Sequence, residues 1–414
     1  MPYRIARHLT DYRGHVGGFS ADARRLLLGQ ALSATGLAVY GVFFNVYLNK
    51  GGLGEDFIGA LASVTMITSV IIGIPAGILA SRVGLRNALL AALPLVAIIS
   101  ALQSLTVDRG ALLTLAVILG GGQMLFNAAL YPLLTVASNP ADRNYVFSLS
   151  WAIMSLAGVV GALVGGLMPH VVSLIFGYGE FHALRVALFC SALLACASLL
   201  PTRHIAPRRG PAPPVVRLSA YSQILRQCWK FAILNVIIGL GAGFTIPFLS
   251  LYFSTVFQLR PSTIGAVFAV SGAVTGLAVL VTPLLVRRFG KLYAMLIPQA
   301  VSIPFLVMLA HSRLLMLSVP AFWVRGALMN AGTPVMNQVV MEGSSEEHRP
   351  IVNNLISLSW NIGWSVSVAL SGVIIKRHGY MIPFYTTILV YIAYIIVLYR
   401  FFRGDPAMRR TADT

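Results

Sequence analysis

Phe57 to Gly84 reads FIGALASVTMITSVIIGIPAGILASRVG, and Thr263 to Gly290 reads TIGAVFAVSGAVTGLAVLVTPLLVRRFG. Seven of the 28 aligned positions are identical at a constant offset of 206: Ile58/Ile264, Gly59/Gly265, Ala60/Ala266, Val64/Val270, Leu79/Leu285, Arg82/Arg288 and Gly84/Gly290. A second match follows at offset 209, where Asn144, Ser148-Leu149-Ser150-Trp151 and Ile153 recur as Asn353, Ser357-Leu358-Ser359-Trp360 and Ile362. Both copies lie in strongly apolar stretches, so the chain consists of two related membrane-embedded halves. Such a duplication is the sequence mark of a secondary carrier with a solute site at the repeat interface.

Composition agrees. Apolar residues make up 57% of the 414-residue chain and charged residues 10%, with a mean hydropathy of +0.82. A soluble chain carries roughly 25% charge, so this one is dissolved in lipid. Each span needs roughly 20 mostly apolar residues. The sequence supplies twelve such runs: 25–49, 57–80, 87–107, 111–137, 145–176, 183–201, 225–257, 263–286, 292–311, 315–341, 351–375 and 380–402. The expected fold is an all-α membrane protein of twelve transmembrane helices in two pseudo-symmetric six-helix bundles, residues 1–201 and 224–414, joined by a linker over 202–223.

Twelve spans put both termini on one face. That face holds 22 of the 30 Lys and Arg, the opposite face seven, and Arg325 alone lies inside a span. Positive residues remain cytoplasmic, so both termini are expected there, in the cell membrane. The net charge of +18 is then a topology signal, and dispersal of the arginines over short loops speaks against nucleic-acid binding. The linker stretch Pro201–Gln223 is dense in Pro and Arg, which suits an extended cytoplasmic strap. The basic first 20 residues suit either a lipid-surface segment or a free tail. The first apolar run is too long for a cleavable signal peptide. Cys190, Cys196 and Cys228 have no ligand spacing and read as core thiols; no metal or cofactor is expected.

After the second span comes Gly77-Ile78-Leu79-Ala80-Ser81-Arg82-Val83-Gly84-Leu85-Arg86, with a degenerate second copy at Pro283 to Lys291. It resembles the loop signature of the major facilitator superfamily, G-x-L-a-D-r-x-G-r-k. The resemblance extends over the whole chain: twelve spans, two related halves and a basic central loop. It implies a gating role for Gly77, Arg82, Gly84, Arg86, Arg288 and Gly290. Physically, Gly77 suits close helix packing, Gly84 a tight turn, and the arginines headgroup anchoring. Ser81 stands where the signature has an acid, so a carboxylate latch is in doubt here.

In the fifth span, Ala157-x-x-x-Gly161-Ala162-x-x-Gly165-Gly166 is similar to the antiporter signature of the superfamily's drug exporters, G-x-x-x-G-P-x-x-G-G, without its proline. Gly161, Gly165 and Gly166 equally fit plain helix packing. The tenth span carries Arg325, about ten residues from its nearer end. The family often has an arginine near this depth in the fourth span, in a motif linked to proton coupling. Alignment of the repeats on Asn127/Asn330 puts Gly122 opposite Arg325, so that arginine is absent. A cation at this depth costs roughly 2.5 kcal/mol or more and needs a partner or water. It reads either an electron-rich group of the solute or the carbonyls of a neighbouring helix.

No Asp, Glu or His falls in the middle of a span; Glu55, Asp56, Asp108, Glu180 and Glu342 lie near ends. Proton coupling, which normally uses such a group, is unsupported unless an end-of-span acid serves. In superfamily members the first, fourth, seventh and tenth spans line the cavity. Gln123, Asn127 and Tyr131 share one face at i, i+4, i+8, and Tyr40, Phe44 and Tyr47 form an aromatic face. Arg325, Asn330, Thr333 and Asn337 lie along the tenth span, and Trp360, Asn361 and Trp364 along the eleventh. Polar glue between helices is the alternative for each of them. Amides with aromatics point to a small solute with an apolar body and a polar tip.

The expected function is a monomeric carrier, with efflux of a lipophilic compound ahead of facilitated flow of an anionic metabolite or lipid flipping. A membrane enzyme would need a catalytic constellation that the short external loops have no room for. A transporter-like receptor or assembly factor is the third class.

Overall fold

The structure, a computed structural model, describes residues 18–139, 142–206, 218–342, 349–405 and 408. The N-terminal 17 residues and most of the Pro- and Arg-rich linker lie outside the described residues. The chain is helical: α1 Ala21–Lys50, α2 Glu55–Val83, α3 Leu85–Leu105, α4 Arg109–Ala137, α5 Arg143–Phe176, α6 Glu180–Ala197, α7 Leu199–Thr202, α8 Leu218–Thr245, α9 Leu249–Thr255, α10 Pro261–His311, α11 Leu315–Ala331, α12 Thr333–Glu342, α13 Arg349–His378 and α14 Met381–Phe402. Among the described residues, ten helices are long and apolar enough to cross a membrane.

Twelve spans are recovered at two breaks. The 51-residue α10 holds the eighth and ninth spans, which part at Gly290 (φ 79°, ψ 166°). The tenth span is cut into α11 and α12 around Gly332. Pro334 has no N–H for the Asn330 carbonyl and its ring crowds that turn. The Gly332 N–H bonds Asn330 O instead. Thr282 Oγ1 of α10 donates to Ala331 O at 2.8 Å, so a neighbouring hydroxyl serves a carbonyl at the break, as lipid demands. The seventh span contains a 3₁₀ turn, Ile246–Phe248, at Pro247.

The chain divides into two compact units. Unit 1 is Met1–Phe44 with Ile71–Pro214, and unit 2 is Asn45–Val70 with Val215–Thr414. The division cuts α1 and α2, so the outer parts of the first two spans pack within unit 2.

In unit 1 the core gathers Leu26, Leu27, Leu89, Leu130, Leu133 and Leu134 from α1, α3 and α4. Gly161 and Gly165 of α5 lie against α1: a Cβ on Gly161 would stand 2.6 Å from Ala38 Cβ, and one on Gly165 2.7 Å from Val39 Cγ1. Gly166 is buried too. Gly36 of α1 meets α6, where an added Cβ would lie 2.4 Å from Ser191 O.

Unit 2 repeats the scheme more tightly. A Cβ on Gly239 of α8 would lie 2.5 Å from Trp360 O, and one on Gly363 of α13 2.2 Å from Val236 O. Gly241 receives the ring of Tyr391 from α14, with Cε1 only 2.4 Å from a notional Cβ. The buried cluster of Leu234, Leu292, Met295, Leu296, Tyr394 and Leu398 fills the space beside these contacts. Outward-facing apolar residues are lipid-facing by composition, as with Leu280 at 73% exposure.

Gly363→Val should lower stability by about 1–3 kcal/mol or more, because two backbone atoms of α8 occupy the volume of the new side chain. Gly158→Ala, whose Cβ meets nothing within 4 Å, should be neutral or slightly stabilising. Melting of the detergent-purified proteins checks both; equal melting of Gly363→Val and the parent would refute the packing argument.

Candidate functional site

The loop glycines are held by conformation rather than by crowding. Gly84 sits at φ 93°, ψ 136°, capping α3, and Gly290 at φ 79°, ψ 166°. Both fall in or near a region that only glycine populates, and a Cβ on Gly84 would meet nothing within 4 Å. Gly77 differs from its expected role: a Cβ there also meets nothing within 4 Å, so close packing does not account for it. Arg82 and Arg288 are exposed, the latter 5.5 Å from the Phe289 ring centroid.

The polar contacts of the signature loop differ between the two repeats. With Ser81 in the acidic position, its hydroxyl bonds Ile78 O within its own helix at 2.7 Å. Arg86 instead reaches the start of the linker, donating to Arg203 O at 2.7 Å. Arg25 donates to His204 O at 2.7 Å, and Ile205 is buried in the unit 1 core. In the second repeat Lys291 Nζ lies 2.6 Å from Glu342 Oε2, and Gln338 Nε2 donates to Glu342 Oε1 at 2.8 Å. Glu342, the acid with the best prospect as a proton relay, is therefore engaged at the end of α12.

The solute-facing candidates separate by unit. In unit 1, Asn127 is exposed and Gln123 and Tyr131 are half-buried on α4. The Tyr131 hydroxyl is 3.9 Å from Met154 Sδ, and Trp151 of α5 is 61% exposed. Tyr40 stacks on Phe44 at 4.2 Å and hydrogen-bonds Gln103 of α3. Ser150 donates to Gln30 at 2.7 Å inside the unit, an α1–α5 tie absent from the sequence reading. In unit 2, Tyr47 is fully buried. Trp360 and Trp364 stack at 5.8 Å on α13, and Asn361 between them is half-buried. Asn330 is exposed and spends its amide N–H on Gly326 O at 2.8 Å.

Arg325 is 4% exposed. It donates from an Nη to the Tyr391 hydroxyl at 3.1 Å, with its Cζ 5.8 Å from that ring's centroid, and its Nε has no partner. The enclosed guanidinium thus has an aromatic hydroxyl partner on α14. The partner came from α14 rather than from carbonyls, and no local pattern pairs positions 66 residues apart. The missed contacts at Gly239, Gly243 and Gly363 did have a signal, small residues four apart in α8. Among the described residues no group of His, Cys, Asp and Glu could hold a metal ion, and Cys228 is buried as a thiol.

The profile of the Major Facilitator Superfamily matches residues 26–231 and again 231–413. The chain belongs to this superfamily, a multi-pass membrane family of transporters. Among curated proteins none matches the chain in sequence. Among solved structures it is similar to an inward-facing, occupied bacterial homolog of the human lysosomal transporter Spinster, at TM-score 0.76 and 15% identity over 97% of this chain and 99% of that one. It is similar to the nucleoside transporter NupG at TM-score 0.74 and 15% identity, over 91% and 98%. A bacterial homologue of the iron transporter ferroportin gives 0.72 at 12% identity, over 92% and 98%. At these identities the likeness is one of fold.

Gly84→Ala should impair transport as much as Gly84→Val, because the cost, about 1–3 kcal/mol, lies in the backbone and not in the space around it. Transport at matched expression decides; a harmless alanine would show that the turn relaxes. Arg325→Ala and Tyr391→Phe should each lower the melting temperature, by the roughly 1.5–3 kcal/mol of a buried charge-assisted hydrogen bond. Arg325→Lys, lacking the planar fork, should recover only part of it. A variant that melts normally but has lost solute binding would identify Arg325 as the solute's charge reader.

Proposed function

We propose that this protein is a secondary transporter that moves a small amphipathic organic solute across the cell membrane by alternating access, with efflux as the net direction. It acts as a monomeric carrier, not an enzyme, with both termini cytoplasmic. The reading is supported by superfamily membership together with the chemistry of the exposed and half-buried faces: amide, aromatic and thioether groups, with no carboxylate midway along any described span. The carrying observation is the pairing of stacked indoles, Trp360 on Trp364, with the adjacent amide Asn361. An apolar body stacks on the indoles while a polar tip bonds the amide. In unit 1 the corresponding groups are Gln123, Asn127, Tyr131, Met154 and Trp151. Arg325, already bound by Tyr391, supports the anionic-metabolite alternative less well.

The test is flux of a neutral aryl probe, dansylamide, in proteoliposomes. Trp360→Ala should raise KM about tenfold, corresponding to about 1.4 kcal/mol. The rate should change less than twofold when a pH gradient is imposed, because no Asp, Glu or His lies midway along a span among the described residues. A strongly gradient-driven rate would mean that an end-of-span acid couples transport to protons.

A further inference from the structure

Arg325 lies inside unit 2, 4% exposed, and its surroundings are firmly fixed. Gly241 of α8 leaves room for the Tyr391 ring, and Thr387, one turn back on α14, donates to Gly241 O at 3.0 Å. These two contacts hold the Tyr391 hydroxyl against the guanidinium, where it accepts from an Nη at 3.1 Å. One turn further along α11, Met329 Sδ accepts from Ser302 Oγ of α10 at 3.1 Å. The charge is therefore enclosed by packed helices rather than by water.

No neighbouring group neutralises it. Of the described acids in unit 2, Asp56 is held by Lys376 and Glu342 by Lys291, while Glu55 and Asp405 stand at or beyond helix ends. Tyr391 is neutral, and its ring, with the centroid 5.8 Å from Cζ, offsets only part of the charge. Two donors remain at this point. Arg325 Nε is buried with no hydrogen-bond partner, and Tyr391, whose oxygen accepts from the guanidinium, still has its own proton to give. A buried guanidinium without a counter-charge is strongly unfavourable. A water on Nε would satisfy the donor but leave the charge. We infer that Arg325 Nε and the Tyr391 hydroxyl bind one small monovalent anion of the chloride class, a resident counter-ion of the C-terminal bundle. The chemistry sets that class. One positive charge takes one negative charge, since a divalent anion would only replace a buried cation by a buried anion. Donors alone select an acceptor, and the close packing selects a compact ion over an organic acid. The anion is a fixture of the fold, so the inference goes beyond the carrier reading and does not rest on it.

The test is melting of the purified protein in detergent over a sodium chloride series, balanced with sodium gluconate so that ionic strength and screening stay constant. Chloride at roughly ten times its dissociation constant multiplies the folded-to-unfolded ratio about tenfold, which should raise the parent's melting temperature by about 2 °C or more. Arg325→Gln, which retains donors but loses the charge, should melt at one temperature throughout the series. Tyr391→Phe, which retains the charge but loses one donor, should still respond, with its half-point moved about 5- to 10-fold to higher chloride. A parent indifferent to chloride overturns the site. So does an Arg325→Gln protein with the parent's full response, since the anion would then bind elsewhere. Should Arg325→Gln fail to fold, the Tyr391→Phe half-point decides, and an unmoved half-point overturns the site.

Discussion

Close approach of helix backbones at glycine is the constraint on which the rest of the structure depends. In lipid the side chains of neighbouring helices gain little from being apolar, since the solvent is equally so, and association relies on van der Waals contact and interhelical hydrogen bonds. Gly161 and Gly165 on α1, Gly36 on α6, and Gly239, Gly243 and Gly363 at the α8–α13 seam provide that contact. The hydrogen bonds sit beside the glycines. Thr387 Oγ1 donates to Gly241 O at 3.0 Å and Ser371 Oγ to Phe244 O at 2.6 Å, each drawing α14 or α13 onto the same helix. The stacked indoles of α13 are carried on this rigid seam.

The overall design was largely legible from residues. Hydropathy gave the spans because every backbone polar group in lipid must be satisfied locally, which leaves helices as the only option for such apolar runs. The repeat located Gly84 and Gly290, and the positive φ at both explains why this residue survives in both copies. Other features were hidden for physical reasons. Gly77 follows the loop signature yet meets nothing, so a motif position does not reveal its contact. The Arg325–Tyr391 bond joins two helices whose mutual rotation no local periodicity encodes. The outer parts of α1 and α2 join unit 2 through tertiary packing alone, although Gly59 was already visible as a repeat identity.

The two repeats also diverge where charge is concerned. The second ties its loop to the end of α12 with Lys291 and Glu342, while the first has lost the acid and grips the linker's first carbonyls through Arg25 and Arg86. An ion pair is more sensitive to ionic strength than an arginine on a backbone carbonyl, and Arg25 adds an ion pair of its own with Asp22 at 3.3 Å. The two loops are thus fastened by different contacts, although they descend from one sequence.

The break at Gly332 has a mechanical meaning. The upper piece of the tenth span is pinned to α14 by Arg325, and the lower piece is fastened to the loop within α10 through Glu342. Between them only the Thr282 hydroxyl and one short turn bridge the carbonyls that a continuous helix would have bonded itself. An unbroken rod would transmit rotation at one end undiminished to the other. This one is two shorter rods fastened separately, α11 to α14 and α12 to α10, so a twist applied at Glu342 is weakened before it reaches the depth of Arg325.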